Sequence, residues 1–553
     1  MMMRDIDELT NAHHFPAKVG EEEDGDGGDD GNNETTTTKA PLWEPSGSWW
    51  RDFLYFSGPG WFVSIAYVDP GNYQADIQAG ATSRYSLLFA LWWTGILSIY
   101  VQILCVRLAF YSKSTLSQVQ AQVLPLKRSR YFNWIVAEFS TIITDLPTVI
   151  GFAIALNYFF GLPYYIGVLC SLLTTMVFLA SLSCGIRLLE IAICIFVAIM
   201  SIALWVEMDF VGPDTSELLR GWAFGFVDMT KSDMFPLAGI IGSVVMPHNL
   251  YLHTAAVQSK SHSIKQTPDA LEKAIRYCSI EPIAPILVSF FVNMAVVSIA
   301  AESVYGRENA SSVGLTDFCT YFQNLKGGCL LWAVALLAAG QSGAITTTYT
   351  GQYVMDGFLQ IQLPLAARSI ITRLVAITPS VIVCIMFPEG NKLNQLVNVV
   401  NALLGLLLPF AFTPLVKFNC TESIMGEGNA SKGLEKCILY SFAVAVWGIN
   451  ALTISMKGGG FFGEIDADMP MSGKKIFLIT SQILLQLWYA WWNFSTLFGS
   501  VGGTQESKGF GLVDVDDAFS IHEDDEDGLE LATNSNSVGL APLQIESNSG
   551  EMS

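Results

Sequence analysis

An aspartate in the middle of a long apolar run limits what this chain can fold into. The run from Trp61 to Tyr67 precedes Asp69, and a second apolar run from Tyr85 to Trp93 lies beyond it. An ionisable residue at membrane depth costs about 2.5–3.5 kcal/mol on insertion scales, so it needs a function. Pro70 removes a backbone donor and Gly71 permits non-helical dihedral angles. The sequence therefore predicts that the helix breaks here.

A broken helix exposes backbone carbonyls, which at membrane depth are tolerated only beside a cavity lined by protein. Asp69 and Asn72 would then stand at the break as two oxygen ligands for a cation. Two plainer interpretations stay open. Asp69 could act only as the N-cap of the half-helix that follows, and Asn72 could act only by stabilising the break as an Asx turn.

A second stretch has the same layout of residue, proline, residue and asparagine. Met246-Pro247-His248-Asn249 lies within the apolar segment from Phe235 to Leu252. Two broken helices at matching positions in two halves predict a transporter site at the interface of inverted repeats. Met246 adds a thioether, although a lone methionine in an apolar helix usually only packs. Sulfur beside carboxylate and amide oxygens suits Mn, Fe, Co or Cd better than Ca or Mg.

The composition predicts an all-α polytopic membrane protein, because 51% of the 553 residues are hydrophobic and only 14% are charged. We expect about twelve transmembrane helices, in these apolar runs: Phe53–Ala81, Leu87–Tyr111, Trp134–Phe160, Tyr164–Ser183, Leu188–Met208, Phe235–Val257, Ile280–Ala301, Leu330–Tyr349, Ile370–Phe387, Leu393–Val416, Cys437–Ser455 and Ile476–Phe498.

The predicted organisation is a membrane domain between two disordered, acidic, cytosolic tails. The tails cover residues 1–45 and 499–553, and the membrane domain covers 46–498. Within that domain we expect repeat one at about 53–210, repeat two at about 235–417, and two extra helices at about 437–498. The net charge of −21 is concentrated in the tails, which does not indicate nucleic-acid binding. The first 41 residues lack the pattern of a cleavable signal peptide.

Lysine and arginine in the short loops place both termini in the cytosol. On this topology Asn309, in a glycosylation sequon, faces the lumen or the exterior and is a candidate for modification. Cys319 and Cys329 share that loop and could form a disulfide, with two free thiols as the alternative. The ten cysteines lack CxxC spacing, which argues against a zinc or redox cluster. Plasma membrane and endolysosomal or vacuolar membrane both fit.

The two break motifs resemble the signature of the Nramp family (natural-resistance-associated macrophage proteins), which are proton-coupled divalent metal transporters. A third stretch agrees, because Gly340–Thr346 and its continuation Gly351–Phe358 are similar to that family's transport motif. The resemblance covers about Phe53 to Val416. It implies a leucine-transporter-type fold of two inverted five-helix repeats, with breaks in the first and sixth helices.

The resemblance also implies two backbone ligands: the carbonyl of Ser243, where the family usually has alanine, and that of Ala66. Asp69, Asn72 and Met246 would supply the side-chain ligands.

For the proton route, the candidates are His248, which titrates near physiological pH, and Asp145. A neutral, backbone-bonded histidine and a purely structural ion pair are the respective alternatives. Many relatives have a glutamate three residues after the aspartate and paired arginines before the ninth helix. Here Thr148 and Ser369 stand at those positions, with Arg373 further on. The proton relay of those relatives thus lacks two of its charged groups here, so we expect proton and metal transport to be loosely coupled.

These observations predict a secondary transporter, not an enzyme, that moves Mn²⁺ or Fe²⁺, with Co²⁺ and Cd²⁺ as further candidates, towards the cytosol. Transport would be coupled to protons or membrane potential. The expected partners are the metal ion, protons and the bilayer; we expect no cofactor and a monomer. Two alternatives are a metal-sensing receptor on a transporter scaffold, which would need a folded signalling tail, and an amino-acid symporter, which would need a small-residue cavity at the breaks.

Overall fold

Apolar helices dominate the computed structural model. It describes residues 42–58, 63, 65–123, 127–181, 198, 201–261, 263–322, 327–360, 365–455 and 473–499. Throughout those ranges the regular structure is helical except for one isolated bridge, between Trp43 and Ile264. Seven helical stretches among these residues are long and apolar enough to cross a membrane. The prediction of an all-α polytopic protein is thus confirmed, while both predicted tails lie almost wholly outside the described residues.

The helices before the second break are α1 (Trp49–Phe56), α2 (Pro70–Ser83), α3 (Leu88–Ser112), α4 (Leu116–Val123), α5 (Lys127–Phe160), α6 (Tyr164–Ser181), α7 (Thr215–Asp228) and α8 (Met234–Val244). Those after it are α9 (Pro247–Ser261), α10 (Pro268–Ile280), α11 (Ile283–Ser303), α12 (Gly328–Leu359), α13 (Leu365–Met386), α14 (Gly390–Leu407), α15 (Pro409–Asn419), α16 (Glu422–Met425), α17 (Gly433–Ser455) and α18 (Gly473–Phe498). Residues 201–211 are also helical.

Both predicted helix breaks are present. A short 3-10 helix, Ile65–Val68, stops before Asp69, and α2 begins at Pro70. Likewise α8 ends at Val244, and α9 begins at Pro247. Proline is favourable in the first turn of a helix, where its missing N–H leaves no bond unmade, so each break becomes the start of a new half-helix.

Several predicted boundaries were too narrow. The helix predicted from Trp134 begins at Lys127, and the one predicted to end at Tyr349 continues to Leu359. The predicted bounds followed the apolar runs, but both helices continue into polar residues beyond those runs. The predicted Leu188–Met208 span lies mostly outside the described residues.

Short amphipathic helices were not predicted, because none is long enough to span a bilayer. The N-cap of α7 is Asp214, whose carboxylate accepts from the backbone N–H groups of Ser216 and Glu217. The N-cap of α10 is Thr267, whose side chain accepts from the N–H of Ala270, and proline occupies the first turn. Both are ordinary capping signals. Capping residues in the sequence therefore indicate where these two helices start, although the helices are too short to span a bilayer.

Close contacts between helices fix α2, the half-helix that follows the first break, against its neighbour. A methyl group at Gly80 of α2 would lie 2.3 Å from the carbonyl oxygen of Val297 in α11. A methyl group at Gly340 of α12 would lie 2.6 Å from the carbonyl oxygen of Thr148 in α5. Small residues let membrane helices approach this closely. α2 and its break are thus fixed against α11, while α5 and α12 form a second tightly packed pair.

Candidate metal site

Asp69 stands at the first break as the N-cap of α2. Its backbone is extended, and its Oδ1 accepts hydrogen bonds from the backbone N–H of Asn72 at 2.7 Å and from Asn72 Nδ2 at 2.9 Å. Both side chains are buried, with 2% and 1% of their surface exposed. The capping interpretation is therefore correct as a description of local structure. It does not compete with a ligand role, since the cap holds the two candidate ligands side by side.

Asn401 of α14 is a third oxygen-bearing side chain at this break. Its Nδ2 donates to the carbonyl oxygen of Gly71 at 2.8 Å. A methyl group at Gly71 would lie 3.2 Å from Asn401 Oδ1 and 3.3 Å from Asp69 Oδ1, so both oxygens converge on the glycine. In the part of the chain that the structure describes, Asn401 Oδ1 has no hydrogen-bond partner. The sequence showed only that residue 401 is polar.

The second break places Met246 between two half-helices. Its side chain is buried, with 1% exposed, and its carbonyl accepts from the N–H of Asn249 at 3.1 Å. The hydroxyl of Ser243 donates to the carbonyl of Ile240 at 3.3 Å, so it is engaged with its own helix. Ser243 can therefore contribute to the site through its backbone rather than through its hydroxyl.

Pro247 accounts for one of the two backbone ligands implied by the family resemblance. In an α-helix a carbonyl accepts from the N–H four residues later, and four residues after Ser243 is Pro247. Proline has no N–H, so the Ser243 carbonyl loses its helical donor. Ala66 lies in the 3-10 helix Ile65–Val68, where a carbonyl accepts from the N–H three residues later. The ligand role of both carbonyls stays a prediction.

Helix α14 brings the two breaks together. Asn401 reaches the first break through its side chain, as described above. Its backbone lies against α8, because a methyl group at Gly242 would come within 2.1 Å of the Asn401 carbonyl oxygen. Gly242 is four residues before Met246, and Gly71 is two residues after Asp69. The half-helices α2 and α8, which adjoin Asp69 and Met246, thus both contact one residue of α14.

Clusters of three or more His, Cys, Asp or Glu side chains suited to a metal ion do not occur among the described residues. The candidate ligands described above are instead one carboxylate, two amides, one thioether and backbone carbonyls. Such a set has a single formal charge, which suits an ion that must be released rather than permanently held.

Known proteins of one family match the part of the chain that contains the two helix breaks. The family profile described as "Natural resistance-associated macrophage protein-like" matches residues 60–455, a range that includes both breaks. The chain belongs to the Nramp family.

Named relatives of this Nramp chain extend along most of its length. It is 35% identical over 445 residues to "Metal transporter Nramp6.1" of Populus trichocarpa, with 78% of each chain covered. It is 34% identical over 424 residues to "Metal transporter nramp1 homolog" of Dictyostelium discoideum, with 75% of this chain and 78% of the relative covered. The family resemblance inferred from the motifs is therefore confirmed.

Solved structures agree on the fold. The crystal structure of the Eremococcus coleocola manganese transporter in complex with an aromatic bis-isothiourea substituted compound superposes with a TM-score of 0.69. The superposition covers 83% of this chain and 97% of the Eremococcus chain, and the two sequences are 24% identical. The leucine-transporter-type fold with broken first and sixth helices is thus confirmed.

His248 and His253, both on α9, are buried in this Nramp chain. They are 1% and 0% exposed. Within the described ranges, Nδ1 of His248 and both ring nitrogens of His253 have no hydrogen-bond partner. His248 lies two residues from Met246, so it adjoins the metal site, whereas His253 lies more than one helical turn further along α9. The proton-route role of His248 stays a prediction.

Asp145 forms the ion pair that the sequence left as an alternative. Arg373 Nη1 of α13 lies 2.6 Å and 2.8 Å from its two carboxylate oxygens, and Thr347 of α12 donates to Oδ1 at 2.7 Å. Thr148 donates its hydroxyl to the Asp145 carbonyl at 2.6 Å. Asp145 therefore joins three helices. A proton-route role in addition to this structural one stays a prediction.

A small cavity of about 10 Å³ adjoins this ion pair. Glu138, Thr347 and Arg373 are among its lining residues. Oε2 of Glu138 has no hydrogen-bond partner among the residues described. This volume is close to the minimum that holds one water molecule. Glu138 is thus a further carboxylate on the same face of α5, seven residues before Asp145.

The predicted extracytosolic loop carries the remaining candidates. Asn309 is exposed on the surface. Cys319 lies in a 3-10 helix at Phe318–Tyr321, and Cys329 lies in the first turn of α12; the structure joins them in a disulfide, with their Cα atoms 4.8 Å apart. The disulfide links the loop to α12. Glycosylation of Asn309 stays a prediction.

Proposed function

We propose that this Nramp protein is a secondary active transporter that moves divalent transition metal ions towards the cytosol, driven by protons or membrane potential. Its substrates would be Mn²⁺ and Fe²⁺, with Co²⁺ and Cd²⁺ as further candidates. The observation that carries the proposal is that Asp69, Asn72 and Met246 are buried at two helix breaks, whose half-helices α2 and α8 both contact Asn401 of α14.

The donor set supports transition metals over Ca²⁺ and Mg²⁺. Ca²⁺ takes six to eight oxygen ligands, and Mg²⁺ keeps an octahedral shell of oxygen and water. A buried thioether adds nothing for either ion, but it is a good ligand for softer metals. Met246 would therefore contribute most of the selectivity, and Asp69 most of the affinity.

Names of similar proteins agree with this substrate class. The plant and Dictyostelium relatives are called metal transporters, and the Eremococcus protein is called a manganese transporter. Family membership argues for transport rather than catalysis. Mn²⁺ is accordingly the first ion to test.

For proton coupling, the supporting groups are Asp69 and His248 at the site, with Asp145 further along α5. The ion pair with Arg373 occupies the carboxylate of Asp145, and Thr148 replaces the glutamate that many relatives carry. We therefore propose that coupling is loose, with Asp69 and His248 as the principal proton-binding groups.

We also propose a membrane arrangement. Both termini lie in the cytosol, so the loop with Asn309 and the Cys319–Cys329 disulfide faces the exterior or a lumen, where disulfides persist. We propose that the protein functions as a monomer.

Uptake by purified protein in liposomes tests the proposed function. Radioactive Mn²⁺ should accumulate, excess Fe²⁺ or Cd²⁺ should compete with it, and equal excesses of Ca²⁺ or Mg²⁺ should not. Liposomes that carry the Asp69→Asn variant provide the control. Uptake that equals this control, or equal competition by Ca²⁺, would contradict the proposal.

A further inference from the structure

Five side-chain amides line the contact between α2 and α14 beyond the metal site. We call this set, Gln74, Gln78, Asn394, Asn398 and Asn401, the amide ladder. Gln74 Nε2 donates to Asn398 Oδ1 at 3.0 Å, and Asn398 Nδ2 donates to Gln78 Oε1 at 2.8 Å. At the inner end, Asn401 bonds the carbonyl of Gly71, as described above. The ladder therefore begins at the first break and runs along α2, away from Asp69.

Residues 312–317 cover one side of the ladder, at Gln74 and Asn394. The N–H of Leu315 donates to Gln74 Oε1 at 3.0 Å, and Asn394 Nδ2 donates to Thr316 Oγ1 at 2.9 Å. A methyl group at Gly314 would lie 2.3 Å from Gln74 Oε1. The loop thus rests directly on the ladder. It is also attached to α12, because Trp332 donates to the Leu315 carbonyl at 3.0 Å.

The oxygens of the ladder differ in whether they are occupied. The amide oxygens of Gln74, Gln78, Asn394 and Asn398 each accept a hydrogen bond from the protein. Only the innermost oxygen, Asn401 Oδ1, has no partner within the described ranges. A cation could use the four outer oxygens only after their present bonds had broken. The ladder is therefore closed in this structure.

Apolar side chains lie on the other side of the breaks. Val63, Leu252, Ile345 and Tyr349 form one buried cluster. Val63 is six residues before Asp69 and Leu252 is six residues after Met246, whereas α2 and the ladder extend from Asp69 in the opposite direction. The two sides of the metal site are thus closed by different chemistry.

We propose that the amide ladder is the extracytosolic gate of the metal site, with Gln74 and Asn398 as its positioning residues. This inference rests on the proposed metal transport. The gate opens when the ladder exchanges its internal hydrogen bonds for bonds to water and to the incoming ion. Amide oxygens can replace water ligands of a divalent cation, and because they are neutral they do not hold the ion more strongly than Asp69 does. Interhelical side-chain bonds in membranes are weak enough to be broken in each transport cycle.

A cysteine reporter beside the ladder tests the gate without depending on transport. Gly239 of α8 is suitable, because a methyl group there lies 3.8 Å from Asn401 Cβ, an ordinary contact. The probe is a membrane-impermeant thiol reagent, applied to the extracytosolic side of Gly239→Cys in the full-length protein. Labelling of the parent chain without the reporter is subtracted to remove the contribution of the native cysteines.

Adding Gln74→Leu to the reporter removes one bond between α2 and α14, and adding Asn398→Leu removes two. Each should raise the labelling rate about three- to thirtyfold, the range expected from losing one or two interhelical bonds. Both together should raise the rate by less than the product of the two single effects, because the Gln74–Asn398 bond is removed by each of them. Gln74→Asn, which keeps the amide but is one methylene too short to reach Asn398, should also raise the rate.

Gln120→Leu is the matched control. Gln120 is a buried glutamine on α4 that bonds the Phe410 carbonyl and the Tyr251 hydroxyl, away from the ladder. It should leave labelling unchanged. Labelling that stays slow in the folded Gln74→Asn and Asn398→Leu proteins, or that rises equally in Gln120→Leu, would overturn the gate.

Uptake of Mn²⁺ by the Gly239→Cys parent separates the two hypotheses. If it transports Mn²⁺ while the ladder variants label slowly, the gate is wrong and the function stands. If ladder variants label fast but no folded form transports Mn²⁺, the ladder closes that face of the site and the proposed function fails.

Discussion

At the scale of single residues, Asp69 combines two roles that its sequence position made alternatives. It caps α2 through Oδ1, and it is a buried carboxylate at the break. Asparagine is as good an N-cap as aspartate. The substitution Asp69→Asn therefore separates the two roles, since it keeps the cap and removes the charge.

We predict that Asp69→Asn folds normally but loses Mn²⁺ uptake by more than about 100-fold, exceeding the 10–100-fold cost of removing an outer-shell partner of a metal site. The thermal unfolding midpoint in detergent should stay close to that of the unmodified chain. Uptake within threefold of normal at equal expression would leave Asp69 with the capping role alone.

Met246 allows a similar separation of packing from coordination. Leucine fills nearly the same volume, and such exchanges usually cost less than about 1.5 kcal/mol in cores. In the Met246→Leu variant, the concentrations of Cd²⁺ and of unlabelled Mn²⁺ that halve the uptake of radioactive Mn²⁺ should rise about tenfold, the effect of losing one soft ligand. The weak inhibition by Ca²⁺ and Mg²⁺ should stay the same. Met246→Ala should show the same selectivity change with an added loss of stability. A uniform change for all four ions would mean that the side chain only packs.

At the scale of helices, the site depends on how closely α8 and α14 approach. A methyl group at Gly242 would lie 2.1 Å from the Asn401 carbonyl oxygen and 2.3 Å from the Gly405 nitrogen, both of them backbone atoms. Gly242→Ala should therefore lower stability by about 1–3 kcal/mol through overpacking. Gly95→Ala on α3 is the control: nothing lies within 4 Å there, and alanine should stabilise that helix slightly. Unfolding midpoints of the two variants that do not differ would contradict this packing.

The ion pair of Asp145 and Arg373 joins α5 to α13. Removing one partner of a buried pair costs about 3–5 kcal/mol, because the other charge is left uncompensated. Arg373→Met should therefore be strongly destabilised, and the double variant with Asp145→Asn should recover much of the loss. If Asp145 also takes part in the proton route, the double variant should have a weaker pH dependence of Mn²⁺ uptake. An unchanged pH profile in the recovered protein would leave the pair purely structural.

Local chemistry explains which features were predictable. Both breaks follow from proline and glycine in apolar runs, and the candidate ligands are the polar residues at those breaks. The contacts of Asn401 with Gly71, of Asp145 with Arg373 and of Gln74 with Asn398 join residues 228 to 330 positions apart in the chain. One sequence contains no signal for such pairings. Asn394, Asn398 and Asn401 are spaced to share one face of α14, but the sequence does not identify the helix that this face contacts.

At the scale of the whole molecule, transport requires that the site open to one side at a time. In this structure hydrogen-bonded amides extend from the breaks along α2, and a buried apolar cluster contains Val63 and Leu252, which lie in the other direction from the breaks. Proton coupling would link these openings to the charge of the site.

We predict that coupling is loose. Metal-driven acidification of liposomes, measured beside metal flux, should give a proton-to-metal ratio that changes with pH and membrane potential. Thr148→Glu, which restores a carboxylate beside Asp145, should narrow this variation. The methyl group of Thr148 lies close to Gly343, so the variant's stability must be measured as the control. A fixed ratio in the unmodified chain, unaltered by the substitution, would show that the protons take another route.

The most direct test of the metal site is anomalous X-ray diffraction from crystals soaked in Mn²⁺. We predict a single strong peak inside the membrane domain, in contact with Asp69, Asn72 and the sulfur of Met246. In Asp69→Asn crystals that peak should be absent. A peak elsewhere in the membrane domain, or one that persists unchanged in Asp69→Asn, would contradict the proposed metal site.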